Sequence, residues 1–322
     1  MSVASVSRAL NGGRGVTSET GQRIREVAKR LRYVPDAAAQ ALITRRTNTI
    51  GALLPDLYGE FFSELIRGID LAARSRGLHL LVSSSHDNAD DAAAALRALH
   101  GRVDGLLLMS PHADAEFLHQ NLPVNLPTVL MNSGVDCGEY NTLCVDNDAG
   151  ARLMVEHLLA QGHRRIAFIQ GPTGNRDASE RELGYRQALS SLAPDSPVIV
   201  LAGDFSEASG YRAGQKIMAM RSRPDAVFAA NDMMAIGCMA SLHEAGMRIP
   251  DDIAIGGFDD VPMARYVSPP LTTIQIRIDE LGGQAMRMLG DQIDNPGTDT
   301  AFKHHRVATE IVVRTSSGKL LR

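Results

Sequence analysis

Three cysteines, Cys137, Cys144 and Cys238, are all that this chain of 322 residues contains, an odd number with no C-x-x-C pair. Such usage agrees with a reducing compartment and argues against a zinc site. No run of about 18 apolar residues is present, and the first residues lack the apolar core of a secretory signal. Neither membrane nor export is indicated, and a cytoplasmic location is expected. Also missing are a G-x-S-x-G elbow, a phosphate loop and a G-x-G-x-x-G following a strand. "SSSHD" at 83–87 sets Ser, His and Asp side by side, whereas a catalytic triad needs them to converge from separate segments. His304 and His305 fall on opposite faces of an expected strand, which does not suit one metal. No catalysis, cofactor or metal is expected.

What is present is a large apolar fraction, 44%, enough for one small domain and one or two larger ones. The net charge of -4 conceals two unlike parts. Residues 1–48 hold nine Lys or Arg against three Asp or Glu, and the remainder 24 against 34. A basic head on an acidic body points to a polyanion as the partner of the head.

In "SVASVSRALN" Val3, Val6 and Leu10 recur at helical spacing, leaving Ser2, Ser5 and Arg8 on the other face. Asn11 to Gly13 stop this helix. Thr17 or Ser18 can cap a second one, in which Ile24, Val27, Ala28 and Leu31 form the apolar stripe while Arg23, Arg25, Lys29, Arg30 and Arg32 stay outside. Pro35 ends it. "PDAAAQALITRRTNTIG" then reads as a linker helix running into a strand.

From Thr49 apolar strands alternate with amphipathic helices, and a second such series starts after "NTLCVDN". The pattern predicts two doubly wound parallel α/β lobes with a cleft between them. Ligands of such sheets bind beyond the carboxyl ends of the strands. The residues there include Asp56, Ser83 to Asp87, Ser110, Asn132, Gly171 to Arg181, Asp204, Phe205, Asn231, Asp232, Asp259 and Asp260. Asn and Asp paired with an Arg suit vicinal hydroxyl groups, which both donate and accept, and Phe61, Phe62 and Phe205 can stack on a sugar ring. Asp232 can equally cap the helix that follows it. Tyr185 and Tyr211 are expected to pack rather than to touch ligand.

The run "V-A-S-V-S-R-A-L-N-G", then "V-T-S-E-T", then a basic helix ending "Y-V-P-D-A" resembles the headpiece of the LacI/GalR transcription regulators. Further likeness lies in "GHRRIAFIQGP", "GDFSEASGYRA", "ANDMMAIG" and "GGFDDVPMARYVSPPLTTI", and it extends to the periplasmic sugar-binding proteins, covering nearly the whole chain. The resemblance implies a helix-turn-helix whose recognition helix presents Ser2, Ser5 and Arg8 to the major groove, with Asn11 near a phosphate. It also implies a hinge helix whose Leu42 wedges into the minor groove, with Arg45 and Arg46 on phosphates. Family members carry one more helix before the recognition helix, so the native start is expected upstream of Met1.

By the same resemblance Arg181 is the effector-binding arginine, Asp259 binds ligand hydroxyls and Asn231 is a polar ligand residue. Phe205 matches an aromatic of purine-responsive members, but Asn175 and Asp177 stand where those members have arginine and threonine. A sugar or sugar-acid effector is therefore expected, with a nucleobase or nucleoside as the alternative. The expected domains are a partial helix-turn-helix headpiece (1–34), hinge and linker (35–48), an N-terminal lobe (49–147 plus about 277–298) and a C-terminal lobe (148–276 plus about 299–322). The implied partners are near-palindromic double-stranded operator DNA, a small effector and a second copy of the chain; the implied activity is regulation, more often repression, of transcription. A sugar receptor without DNA binding is the competing class.

Overall fold

The computed structural model describes residues 3–10, 17–33, 44, 46–110, 114–133, 138–296 and 302–318. It divides into two compact units, Met1–Thr47 and Asn48–Arg322.

The first unit contains helices α1 (Val3–Leu10) and α2 (Ser18–Arg30). Thr17 is the N-cap of α2 and its hydroxyl accepts from the Thr20 amide, while Glu19 in the first turn complements the helix dipole. Ala9 and Ile24 are buried apolar side chains of this pair, and Arg25 Nη1 donates to Ala9 O at 3.4 Å. The expected stripe of α2 is only partly covered, since Val27 and Leu31 are exposed. Arg8 lies on the exposed surface of α1 and Ser5 is half-buried. Ser2, Asn11, Leu42 and Arg45 lie outside the described residues.

The second unit is two α/β lobes. In the first lobe β1 (Thr49–Leu54), α3 (Glu60–Ser75), β2 (His79–Ser84), α4 (Ala89–Leu99), β3 (Gly105–Leu108), α5 (Ala115–Asn121), β4 (Thr128–Met131) and β5 (Asn141–Val145) alternate. The second lobe continues with α6 (Asn147–Ala160), β6 (Ile166–Ile169), α7 (Arg176–Leu192), β7 (Ile199–Leu201), α8 (Glu207–Ala219), β8 (Ala226–Ala229), α9 (Asp232–Glu244), β9 (Ala254–Asp259) and β10 (Thr272–Gln275). The chain then gives α10 (Ile278–Asp294), β11 (His304–Val307) and β12 (Glu310–Val312). Apolar runs such as Ile50 to Leu54 and Ile166 to Ile169 are buried almost without interruption, as expected of parallel strands covered by helices on both faces.

The sheets have the orders β11-β5-β4-β3-β1-β2 and β12-β10-β9-β8-β6-β7. Every described pairing is parallel except β10 with β12. Helix α10 packs on α3 of the first lobe, with Gly68 and Gly282 at the contact: a Cβ on Gly68 would fall 2.0 Å from Asp279 O. The chain therefore passes between lobes three times, near Asp146, near Ile276 and at 308–309.

The last passage corrects the expected boundary. Residues 299–322 do not all belong to the second lobe, because β11 pairs with β5 of the first sheet through His304↔Thr142 to Val307↔Val145. Two strands separated by two residues join different sheets, and no intervening helix marks the change.

Candidate functional site

The carboxyl ends of both sheets face a common cavity of ≈ 540 Å³ between the lobes. Parallel strands place their chain ends on one edge, so short loops after β1, β4, β6, β7, β8 and β9 supply its walls. Asp56, Phe61, Phe62, Asn132, Arg181, Phe205, Asn231 and Asp259 all line it. Asp232 does not. Its side chain is 0% exposed; it accepts from Thr273 Oγ1 at 2.5 Å and from the Val261 amide at 2.9 Å, tying α9 to β10 and to the loop after β9. Nor does Asp232 cap α9, whose N-cap is Asn231, with Oδ1 accepting from Met234 N. Burial, with the Asp259 carboxylate next in size, holds the Asp232 carboxyl well above its ordinary range, which favours the protonated form. Its expected role in ligand contact is replaced by this structural one.

Arg181 is the centre of the second-lobe wall. It sits on the second turn of α7, and α7 starts where it does because Asn175 caps it, accepting from Ala178 N at 3.0 Å. Arg181 is 3% exposed. Nε donates to Asn147 Oδ1 at 2.9 Å and Nη1 to Ala230 O at 2.6 Å, and its guanidinium carbon lies 3.8 Å from the centroid of the Phe258 ring, a cation–π contact. Asp259, 4% exposed, is its ion partner, with Oδ1 3.2 Å from Nη1. That oxygen nevertheless receives no hydrogen bond among the described residues, being near the charge but off the N–H axis. Burial pushes the Asp259 carboxyl up to about 7, against the pull of Arg181.

Tyr185 is core as expected: fully buried, its hydroxyl donates to Ile166 O at 2.8 Å. Tyr211 is not. It reaches Glu244 from the surface at 2.5 Å.

The first-lobe wall is lighter. Phe61 and Phe62 meet edge to face at 5.2 Å, and Asn132 stands at the end of β4 with φ 48. Among the described residues three hydrogen bonds join the two lobes here: Asn132 Nδ2 to Asp177 Oδ2 at 2.9 Å, Arg176 Nη1 to Ser133 O at 2.9 Å, and Met263 N to Glu60 Oε2 at 2.8 Å. With its nitrogen so committed, Asn132 leaves a buried Oδ1 without a partner among the described residues. Phe205 (φ 68), Asp259 (φ 113) and Asp260 (φ 56) share the left-handed backbone; conformations of this kind gather where a structure fixes groups for binding.

Sequence reasoning missed Asn147. It is buried at the first turn of α6, just past the first passage between lobes. Its amide donates to Asp177 Oδ1 at 2.8 Å while its carbonyl holds Arg181, so one side chain orients both ligand-facing groups. "CVDN" carries a signal for it, a polar pair straight after an apolar strand.

Comparison with known proteins agrees with this geometry. Residues 155–317 match the model of the periplasmic binding protein-like domain. The chain is 35% identical over 307 residues to the HTH-type transcriptional repressor PurR of Photorhabdus laumondii, covering 93% of this chain and 89% of the relative. Among solved structures it is similar to the lac repressor dimer bound to operator and the anti-inducer ONPF, with a TM-score of 0.87, 26% identity, and 99% and 96% of the two chains covered. It is likewise similar to a complex of the transcriptional regulator CelR with cellobiose, with a TM-score of 0.74, 30% identity, and 97% and 95% covered.

Proposed function

This chain belongs to the LacI/GalR family of transcriptional regulators, and from that premise we propose that it is a DNA-binding repressor whose operator affinity is set by a small sugar held between its lobes. The observation that carries the ligand half is the cavity itself: Arg181 and Asp259 on one wall, Asn132 on the other, and Phe61, Phe62 and Phe205 around them. Ring hydroxyls can exchange hydrogen bonds with the carboxylate and amide side chains of these walls while the apolar ring face covers the phenyl groups. A sugar acid fits less well, because Arg176 is taken by Glu180 at 2.6 Å and Arg181 by Asp259. Among the described residues both guanidinium groups that line the cavity face a carboxylate.

A nucleobase or nucleoside is the second reading, favoured by Phe205 at the cavity wall and by relatives named PurR. It is weakened by Asn175, which spends its side chain as a helix cap. The DNA half rests on the family and on the basic first 48 residues, with Ser2, Ser5, Arg8, Asn11, Leu42 and Arg45 as the groove and phosphate contacts, and a second copy of the chain supplying the other half-site. An effector acts by binding one lobe arrangement better than another, so that operator affinity changes by linkage.

A thermal-shift screen of sugars, sugar acids and nucleosides tests the ligand class, since a ligand specific to the folded state raises Tm. Neutral sugars are expected to respond and uronic acids not; a response confined to nucleosides would replace the sugar with the second reading. Operator binding itself should weaken steeply with salt, with a log-log slope of roughly -0.9 per phosphate neutralised.

A further inference from the structure

We infer that Asn147 is a positioning residue that makes the placement of Arg181 in the cleft and the closure of the two lobes a single event. This rests on reading the cleft as the effector site, and it assigns to one side chain the step by which that site is felt across the lobes. Three observations carry it: the bonds of Asn147, its place in the chain, and the kind of side chain that those bonds require.

The bonds form a crossing. Asp177, Glu180 and Arg181 lie on one face of α7, at the spacing that brings helical side chains together, and Asn147 meets all three. Its Nδ2 donates to Asp177 Oδ1 at 2.8 Å and to Glu180 Oε2 at 3.2 Å, while its Oδ1 accepts from Arg181 Nε at 2.9 Å. Each carboxylate then leads into the first lobe. Asp177 Oδ2 accepts from Asn132 Nδ2 at 2.9 Å, and Glu180 Oε1 accepts at 2.6 Å from the Nε of Arg176, whose Nη1 donates to Ser133 O at 2.9 Å. Two of the bonds that join the lobes thus trace back to the amide nitrogen of Asn147, and the cleft-lining arginine traces back to its oxygen.

The place is the first passage between the lobes. Asn147 opens α6 directly after Asp146. The Asp146 amide donates to Val307 O at 2.9 Å and its Oδ1 accepts from Arg306 Nη1 at 3.2 Å, both on β11 just before the third passage. Behind Asn147 the first turn of α6 is clamped to α7, since a Cβ on Gly184 would fall 2.4 Å from Asp148 O. Asn147 itself is 1% exposed, so it cannot swing aside into solvent. A shift of Arg181 in the cleft wall has to be taken up by this side chain and its partners.

The kind of side chain follows from charge. Towards Arg181 the crossing needs an acceptor, and towards two carboxylates it needs two hydrogens on one atom. A carboxamide carries both on one flat group. Aspartate would keep the acceptor and set a third carboxylate against Asp177 and Glu180; leucine would keep the shape and lose every bond. The line to Arg181 and the lines to the first lobe can therefore be cut separately, a distinction that a packing role would not show.

The consequence is linkage. A ligand that draws Arg181 towards itself loads the Nε bond, and the same amide then turns against Asp177 and Glu180, which hold Asn132 and, through Arg176, Ser133. Placement of the arginine and closure of the lobes share one free energy, so a contact at one end biases the equilibrium at the other. Coupling of this kind is measured by disturbing one end and reading the other.

The test is hydrogen–deuterium exchange of the full chain, without ligand or DNA, read at the amides of 128–133, a first-lobe segment to which Arg181 makes no hydrogen bond among the described residues. Arg181→Lys keeps the charge and removes the Nε donor; it should speed exchange there by about fivefold or more. In Asn147→Leu the segment should already exchange fast, and adding Arg181→Lys should change it by less than about twofold. Asn147→Asp should free the same segment while 226–231, which holds the Arg181 acceptor Ala230 O, keeps its native rate. Should Asn147→Leu fail to fold, Asn147→Ser replaces it with the same expectation. An Arg181→Lys chain that leaves 128–133 unchanged, or whose full effect persists in Asn147→Leu, overturns the inference, as does an Asn147→Asp chain in which both segments loosen together. Neither ligand nor operator enters, so such a result removes the coupling and leaves the sugar-controlled regulator standing, whereas failure of that regulator shows in the ligand screen and not here.

Discussion

The two walls of the cleft are built differently. On the second-lobe wall Arg181, Asp259 and Asn147 are buried and Asp177 is half-buried, and they are bonded to one another or to the backbone. On the first-lobe wall Asp56 folds back on its own loop, accepting from Leu57 N and Tyr58 N, and Phe61 and Phe62 are only half-buried. One wall is a fixed charged template, and the other reaches it through the three hydrogen bonds at Asn132, Ser133 and Glu60. A bilobed binding domain gains from this asymmetry: affinity is stored where the chain is rigid, and the free-energy difference between open and closed forms is left small enough for a ligand to reverse.

The sharpest way to break the comparison is Arg181→Ala. It strands Asp259 and removes the cation nearest Asp177, and uncoupling a buried pair in this way costs about 3–5 kcal/mol. Urea unfolding at pH 7.5 should show a loss of that size. A loss below about 1 kcal/mol would mean that the second-lobe wall is no more fixed than the first.

The next effect is the response to pH. Asp259 has a folded-state value of about 7 against an ordinary 3.8, and Asp177 and Asp232 are raised by burial in the same sense. A carboxyl raised on folding binds protons more tightly in the native state. Its contribution is therefore complete below the unfolded value and is lost as pH rises through the folded one. The protein without ligand should be more stable at pH 5 than at pH 8, by an amount on the order of a few kcal/mol, and Asp259→Asn should flatten the slope. A profile rising from pH 5 to 8 would contradict the assignment.

The smallest expected effect on stability sharpens the other side. Asn132→Gly keeps a residue at ease with φ 48 and deletes one of the three links between walls. About 1 kcal/mol should be lost, yet small-angle scattering should register a larger radius of gyration as the lobes open. An unchanged radius would show that the other two links suffice.

Much of this architecture could be read from the sequence. Apolar runs such as Ile50 to Leu54 mark the strands and the edge at which ligand groups collect, and Asp56, Phe61, Phe62, Asn132, Arg181, Phe205, Asn231 and Asp259 line the cavity as expected, whereas Asp232, Ser110 and Asp260 do not. Two matters escaped. Whether β11 and β12 join one sheet or two is decided by pairing with β5 and β10, far away in the chain, and a two-residue spacer carries no trace of it. Asp232 looked like its neighbour Asn231, but Asn231 is the extended N-cap and Asp232 the first residue of α9, so their side chains diverge. Asn231 lines the cleft, while Asp232 points inward to Thr273. Arg181 was recognised by its position, and only the fold reveals that Asp259 already neutralises it.

The central claim is that occupancy of the cleft governs the grip on DNA. Its most direct test is fluorescence anisotropy on a genomic fragment selected by the protein, with and without the compound that raises its melting temperature. The compound should change the Kd for that fragment by about fivefold or more, in either direction, and the change should disappear in Asp259→Asn. A compound that fills the cleft of the unsubstituted protein yet leaves that Kd untouched would contradict it.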